Sequence, residues 1–391
     1  MLFLTPKRRW PIGLDIGADS IKMLQMCQSG GRIRVRAAER WHFPAPGDQD
    51  PLQRKELAVA AIGDMLKRGN FRGRRVVSAL RCDELCIKNV RLPRMLPDEL
   101  KQAVLYEAND RFGFDVAADR LNCLNAGQVR QGSEIRDEVI LLAASAEVVE
   151  SHLDLLGQVS LVPQAIDAEP VALFRGFERY LRRQADGESV TVVLDIGHSA
   201  ARVIVARGRQ IVFIKSIDVG GRKLTEAVAA QLNLSYGEAR DLRLRKMREY
   251  EQSDSGEADE AKAVASKDRS SLEWSIHDAV RGQVESLARE VALCLRYCSV
   301  TFRGLRPQRI TLSGGESYDR ALVDLLTGQL GTAAVVGEPL RGVDISSVDL
   351  GSNRRATATE WALCAGLAFR NAFADDKNAE ETDDAMRRLS A

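Results

Sequence analysis

Ile12-Gly-Leu-Asp-Ile-Gly-Ala-Asp-Ser-Ile-Lys22 and Val192-Val-Leu-Asp-Ile-Gly-His-Ser-Ala-Ala-Arg202 decide how this chain folds. Both contain Leu-Asp-Ile-Gly, and Lys22 and Arg202 stand at the same offset from Asp15 and Asp195. The two stretches are too far apart for a solenoid repeat and suitably spaced for two copies of one domain. Each runs from an apolar, β-rich segment through Asp and Gly into a small or polar turn, then returns to apolar residues. That order reads as strand, tight turn, strand. The Gly lets the backbone bend and leaves N–H groups free to face an anion. An Asp at a strand end offers a carboxylate for a hydrated cation, which suits Mg²⁺ on a phosphate ligand. A single Asp-x-Gly turn is usually only a turn. Two matched ones facing a shared cleft carry more weight.

The 391 residues suggest two or three domains with sizeable cores, and 45% hydrophobic with 28% charged residues fit a globular protein. A formal net charge of +1 supplies no global attraction to nucleic acid or acidic lipid. Local basic clusters, such as Arg72-Gly-Arg-Arg75 and Arg240 to Arg248, read first as solvated faces. Seven cysteines in mostly apolar surroundings argue for reduced thiols and a cytoplasmic setting rather than a disulfide framework. Only four histidines accompany them, which argues against a zinc site. No apolar run reaches the ~18 residues of a membrane helix. In Met1-Leu-Phe-Leu-Thr-Pro-Lys-Arg-Arg apolar residues precede basic ones, the reverse of a secretory signal. The expectation is a chain neither exported nor membrane-spanning by itself.

After the first hairpin, Arg32-Ile-Arg-Val-Arg starts another strand, and 43–51 is a breaker-rich loop. Leu52 to Lys67 has helical spacing, with Gly69 as a stop, and Arg75 to Leu80 is a short buried strand. This is half of a doubly wound α/β layer. Pro97-Asp98-Glu99 opens a helix with Leu100, Val104, Ala108 and Phe112 on one face. Strand-like runs at Arg120 to Asn125 and Glu138 to Ala144, then a helix from Glu147 to Leu156, make 84–158 a small α+β insertion, well placed for a protein partner. Gln164 to Phe174 leads into a helix with Pro170 in its first turn. A strand from Gln210 precedes helices at Lys223 to Leu232 and Ser235 to Arg248. The acidic, apolar-poor stretch at about 249–271 reads as disordered. A long helix from Ile276 to Phe302 follows. Arg309 to Ser317 reads as strand and glycine turn, and a helix spans Tyr318 to Leu330. The chain closes with a helix from Ala358 to Ala374 and a charged tail. Ser313-Gly-Gly-Glu-Ser317 lets the backbone approach a flat ligand closely, although an ordinary βα turn has the same composition.

Asp15-x-Gly, Asp195-x-Gly and Ser313-Gly-Gly, in that order, resemble the two phosphate motifs and the adenosine motif of the actin-like ATPases. More specifically, the chain is similar to the PilM family of type IV pilus assembly proteins, relatives of FtsA. The resemblance rests on Gly13 to Gly17 with Ser20-Ile-Lys22, Leu92-Pro93 through Glu99 to Val104, and Glu107 to Phe114. Leu141 to Ala144 through Val148-Val149, Ala165 to Pro170, Gly220-Gly221 through Leu224 to Ala227 and Ile310 to Gly315 extend it.

The resemblance implies an actin-like ATPase fold, α/β, with two lobes of ribonuclease-H-like topology and an inserted small α+β subdomain. Subdomain 1A would take 10–83, 159–188 and 356–374, and 1C would take 84–158. Subdomain 2A would take 189–231 and 303–355, 2B would take 232–302, and 375–391 would be a disordered tail. It implies ATP and Mg²⁺ between the lobes, with Asp15 and Asp195 toward the metal. Gly17, Ala18, Asp19, Ser20 and Lys22 would line one phosphate turn, and Gly197, His198 and Ser199 the other. Gly314, Gly315, Glu316 and Arg243 would adjoin the nucleoside. It also implies a protein held at the cytoplasmic face of the inner membrane by the N-terminal peptide of a PilN-like protein, in a groove between 1A and 1C. Self-association remains open, and nucleic acid is not an expected partner.

Three residues depart from the pattern. Asp19 puts a negative charge in a phosphate turn, His198 is bulky for its position, and Arg240 stands where relatives often carry an acid. Glu169 reads two ways, as the group that orients an attacking water or as a helix first-turn acid. Beside an ATP-binding adaptor with weak or absent turnover stand two alternatives: a small-molecule kinase of the same superfamily and a nucleotide-free scaffold.

Overall fold

The computed structural model describes residues 9–29, 31–44, 50–181, 187–253, 266–302, 307–351 and 357–370. The two quoted stretches are equivalent hairpins in two five-stranded sheets of the same topology. In the first lobe β1 (Arg9–Ile16), β2 (Ser20–Ser29), β3 (Arg32–His42) and β4 (Arg75–Leu80) join β8 (Val162–Ala168) in the order β3-β2-β1-β4-β8. In the second, β9 (Val190–Ile196), β10 (Ala201–Arg207), β11 (Gln210–Ile217), β12 (Arg309–Ser313) and β13 (Ala333–Val336) run β11-β10-β9-β12-β13. Each sheet pairs its first three strands antiparallel and adds two parallel ones.

Apolar side chains on one face of the first sheet (Ile12, Leu14, Ile21, Met23) pack against Ile62 and Met65 of α1 (Pro51–Arg68). Asp50 caps that helix by accepting the N–H of Leu52. The opposite face, Leu24 and Met26 with Trp10, meets α9 (Ala362–Ala368) and its flanking Trp361 and Phe369. α4 (Glu169–Glu178) lies against α9, and its Leu173, Phe174 and Phe177 belong to the core of the second lobe. The two helices meet through glycines: a Cβ on Gly366 would come 1.8 Å from the Ala172 carbonyl oxygen, and one on Gly176 2.8 Å from that of Ala362.

The insertion contains β5 (Cys86–Pro93), α2 (Pro97–Phe112), β6 (Leu121–Gln131) and β7 (Glu134–Ala143), with sheet order β5-β7-β6. Glu99 accepts the N–H of Leu96 to start α2, and the expected apolar face buries Val104 and Ala108 over the sheet. The other face of the sheet contributes Ile140 and Leu142 to the second lobe's core. The following helix, α3 (Ala146–Gln158), packs Leu155 and Leu156 into the first lobe beside α1, away from this sheet.

Two strands escape a reading of local pattern. β8 contains Pro163, which an edge strand tolerates because one side of its ladder is open. β5 ends in Pro93 and is also an edge. In the second lobe α5 (Gly221–Leu232) precedes α6 (Tyr236–Ser253), and α7 (Ser266–Thr301) precedes a short 3₁₀ turn at Gly315–Tyr318 and α8 (Arg320–Leu330). The acidic stretch expected to be irregular is therefore helical at both ends. The residues between, 254–265, lie outside the described set, as does 371–391. The last helix is shorter than the span from Ala358 to Ala374.

Gly366→Ala is expected to cost about 1–3 kcal/mol by overpacking the α4–α9 crossing. Gly63→Ala, at an α1 position where a Cβ meets nothing within 4 Å, should gain up to about 1 kcal/mol. Urea unfolding of both variants checks the contrast.

Candidate functional site

The two hairpins set the site through their register. Asp15 stands opposite Lys22 and Asp195 opposite Arg202 across antiparallel ladders, which accounts for their equal spacing in sequence. The turns match as well: Gly17 N–H donates to the Ser20 carbonyl at 3.0 Å, and Gly197 N–H to that of Ala200 at 3.1 Å. Both turns open onto one cleft of about 320 Å³ between the lobes, within the ordinary range of ligand sites. Its lining includes every residue the sequence nominates. Asp15, Gly17, Ala18, Asp19, Ser20 and Lys22 come from the first lobe, and Glu169 from the start of α4. Asp195, Gly197, His198, Ser199, Arg243, Gly314, Gly315 and Glu316 come from the second lobe.

Each strand-end carboxylate has a cation beside it. Lys22 Nζ lies 3.2 Å from Asp15 Oδ2; burial pulls the ammonium down, but Asp15 outweighs it and the net shift is upward. Arg202 spans two acids, at 2.8 Å from Glu169 Oε1 and 3.6 Å from Asp195 Oδ2. Glu169 Oε2 also accepts the backbone N–H of Cys82 at 2.6 Å. Burial pushes both Glu169 and Asp195 above the usual carboxylate range, with Arg202 opposing the shift in each case.

Two of the three departures account for one another. Arg240 of α6 reaches across the cleft to Asp19 at 2.5 Å, and His42 Nδ1 contacts the other oxygen at 2.9 Å. Burial pushes Asp19 up, but His42 and Arg240 pull harder and leave it below its ordinary value. The charge in the first phosphate turn is thus balanced by the residue that breaks the pattern on α6. At the other wall Arg243 is buried and held by Glu316 at 2.6 Å and Asp319 at 3.0 Å, with Thr225 at 3.1 Å. Its guanidinium therefore holds the glycine turn against α5 and α6. Glu316 in turn fills the space above Gly221, where a Cβ would come 2.0 Å from Oε1. Gly314 takes a left-handed φ of 88° against the Ile196 backbone, while Gly315 has open space where a side chain would be.

Arg202 and His42 also line the cleft without having been nominated. Arg202 was visible as the twin of Lys22. His42 has no sequence signal, since the β2–β3 register brings it beside Ser20.

This two-lobed arrangement, with matched hairpins over one cleft, defines an actin-like ATPase fold. The family described as type IV pilus assembly protein PilM matches residues 13–255, and the chain belongs to it. Among solved structures, a PilM–PilN type IV pilus biogenesis complex is similar at TM-score 0.71 and 24% identity, over 92% of this chain and 98% of that one. The ethanolamine utilization protein EutJ from Carboxydothermus hydrogenoformans follows at TM-score 0.51 and 14% identity, over 92% and 89%. At these identities the likeness to solved structures is one of fold. No described helix is long and apolar enough to cross a membrane.

Because Asp195 sits above its ordinary value of 3.8, the folded chain holds more protons than the unfolded one just above that pH. Stability is therefore lost as pH rises through this window. Asp195→Asn should be more stable than wild type at neutral pH without ligand, the gap closing as pH falls toward 4. Urea titrations across that range measure it.

Proposed function

We propose that this protein is an ATP-binding component of a type IV pilus assembly platform, in which nucleotide in the cleft biases lobe closure and, through it, partner docking. The observation that carries the reading is that Asp15 and Asp195, one from each lobe, line the same cleft beside glycine turns of equal geometry. Among the described residues no group of three His, Cys, Asp or Glu side chains forms a metal cage. That fits Mg²⁺, which takes one or two carboxylates and leaves its other positions to water and phosphate oxygens. When bound, the ion would neutralise phosphate charge. Asp15 and Asp195 would hold it, and the turns beyond Gly17 and Gly197, at Ala18 to Ser20 and at His198 and Ser199, would offer backbone N–H groups to the phosphates. Lys22 and Arg202 hold the two carboxylates in place by ion pairing. Gly314 and Gly315 leave room for the nucleoside, with Arg243 and Glu316 bracing the turn. Glu169 is the group nearest in kind to a water-orienting carboxylate. Its oxygens are committed to Arg202 and the Cys82 amide, which supports slow turnover rather than a fast ATPase. The balanced Asp19–Arg240 pair weighs against a nucleotide-free scaffold.

The subdomain limits given above are our assignment, with one adjustment: α3, at 146–158, packs with the first lobe and belongs to 1A. The partner we propose is the N-terminal peptide of a PilN-like membrane protein, which would hold the chain at the cytoplasmic face of the inner membrane. Its groove would lie between 1A and 1C. On the 1C part of that surface, support comes from an open groove within the insertion, between β5 and α2, lined by Leu92, Met95, Ala103 and Tyr106, with Tyr106 exposed and β5 at the edge of its sheet.

Calorimetric titration of Mg-ATP tests the cleft: Asp15→Ala and Asp195→Ala should each abolish detectable binding with circular dichroism unchanged. Unchanged affinity in both variants removes the cleft reading. Titration of a PilN-type peptide tests the groove. Tyr106→Ala should weaken capture about tenfold, as loss of an aromatic anchor does, and leave ATP affinity alone.

A further inference from the structure

Among the side chains that line the cleft, lysine and arginine are as numerous as carboxylates. Each of those carboxylates already holds one of the cations in an ion pair. A phosphate ligand that enters must therefore draw a cation from an acid that has it. The pairs differ in how firmly they are held. Lys22 and Asp15 are only 12% and 8% exposed, Arg202 is shared by Glu169 and Asp195, and Arg243 by Glu316 and Asp319. Arg240 and Asp19, at 25% and 22%, are the most open of these pairs, and they come from opposite lobes. Arg240 is thus the cation most readily released. His42, the other partner of Asp19, belongs to the same lobe as the turn and stays with it. Its Nδ1 lies 2.9 Å from Asp19 Oδ2, the β2–β3 ladder pairs it with Ser20, and the Phe43 N–H that follows donates to the Asp19 carbonyl at 2.9 Å.

We infer that Asp19 and His42 form a proton-linked gate in the first phosphate turn: ligand phosphates take Arg240 from Asp19, and His42 takes up a proton that neutralises the carboxylate left behind. The inference rests on the nucleotide reading of the cleft. Phosphate oxygens compete with a carboxylate for a guanidinium, because both accept charge-assisted, bidentate bonds. Once Arg240 leaves, Asp19 stands as an anion against the phosphates, and an imidazolium at hydrogen-bond distance relieves that repulsion. Imidazole is the side chain that ordinarily supplies such a charge near neutral pH. The His42 side chain is 51% exposed, so its proton comes from bulk water. The other charged or titratable groups around the pair do not replace it. Arg54 of α1 turns to the Gly17 carbonyl, to which its Nη2 donates at 2.6 Å. Arg40, two residues before His42 on β3, is taken by Glu360 at 3.4 Å. Tyr236 of α6 stays neutral, its hydroxyl pushed up by burial. His198, in the second turn, acts on Asp19 less than His42 does.

Calorimetric titration of Mg-ATP into the full chain, from about pH 6 to about pH 8, tests the gate. Low pH protonates His42 beforehand and favours the bound state, so wild-type affinity should fall about tenfold as pH rises across that range. Titrations near neutral pH in buffers of different ionisation enthalpy should show net proton uptake. His42→Gln should unfold at the wild-type temperature and bind with one affinity throughout, that of wild type at the alkaline end. Asp19→Asn should bind about tenfold more tightly than wild type at the alkaline end, with no proton uptake. Wild-type affinity that is flat across the range, with no proton taken up, overturns the gate and leaves the nucleotide reading standing. So does an Asp19→Asn variant that folds normally and binds more weakly than wild type, because the carboxylate would then support the phosphates rather than oppose them. Absence of binding by both wild type and Asp19→Asn at every pH overturns the nucleotide reading, and the gate with it.

Discussion

One cross-strand relation governs the molecule: a carboxylate at the end of a central strand, faced across the ladder by a buried cation. Asp15 with Lys22 and Asp195 with Arg202 repeat it in the two lobes. An aspartate at such a site loses solvation, and the cation opposite compensates part of that loss without occupying the turn beyond it. Arg202 carries the arrangement further by taking Glu169 as well, so the start of α4 is tied to the second hairpin. The cleft therefore has charged groups that are already oriented. Stability is sacrificed to keep them there, as the raised positions of Asp195 and Glu169 show.

Two joints connect this site to the remainder of the chain. At the first, α4 and α9 cross through Gly176 and Gly366 so closely that each helix's carbonyls touch the other's glycine. That contact leaves little room for the two helices to slide. The second joint is electrostatic and lies at the cleft mouth, where Arg240 of α6 meets Asp19 of the first phosphate turn. That ion pair spans the two lobes.

The insertion is coupled to the second lobe as well as to the first. Glu138, buried in β7, binds Arg91 at 2.8 Å and accepts from Tyr297 of α7 at 3.2 Å. Ile140 and Leu142 add apolar contact with the second-lobe core. The sheet is thus packed by α2 on one face and by the second lobe on the other.

The sequence by itself determined the paired hairpins, the third glycine turn, the amphipathic helices and the family, because all are written in local spacing: Asp-x-Gly, a cation at fixed offset, apolar residues at helical intervals. It also nominated the residues of both turns, but passed over Arg202, the twin of Lys22. Tertiary structure alone decided the rest. Edge position made strands of the proline-bearing segments around Pro93 and Pro163, and packing against α1 drew α3 out of the insertion. Distance across the fold turned Asp19 and Arg240, each a misfit when read singly, into partners, and committed Arg243 to Glu316 and Asp319. Those outcomes depend on contacts between residues far apart in sequence, which neither periodicity nor composition encodes.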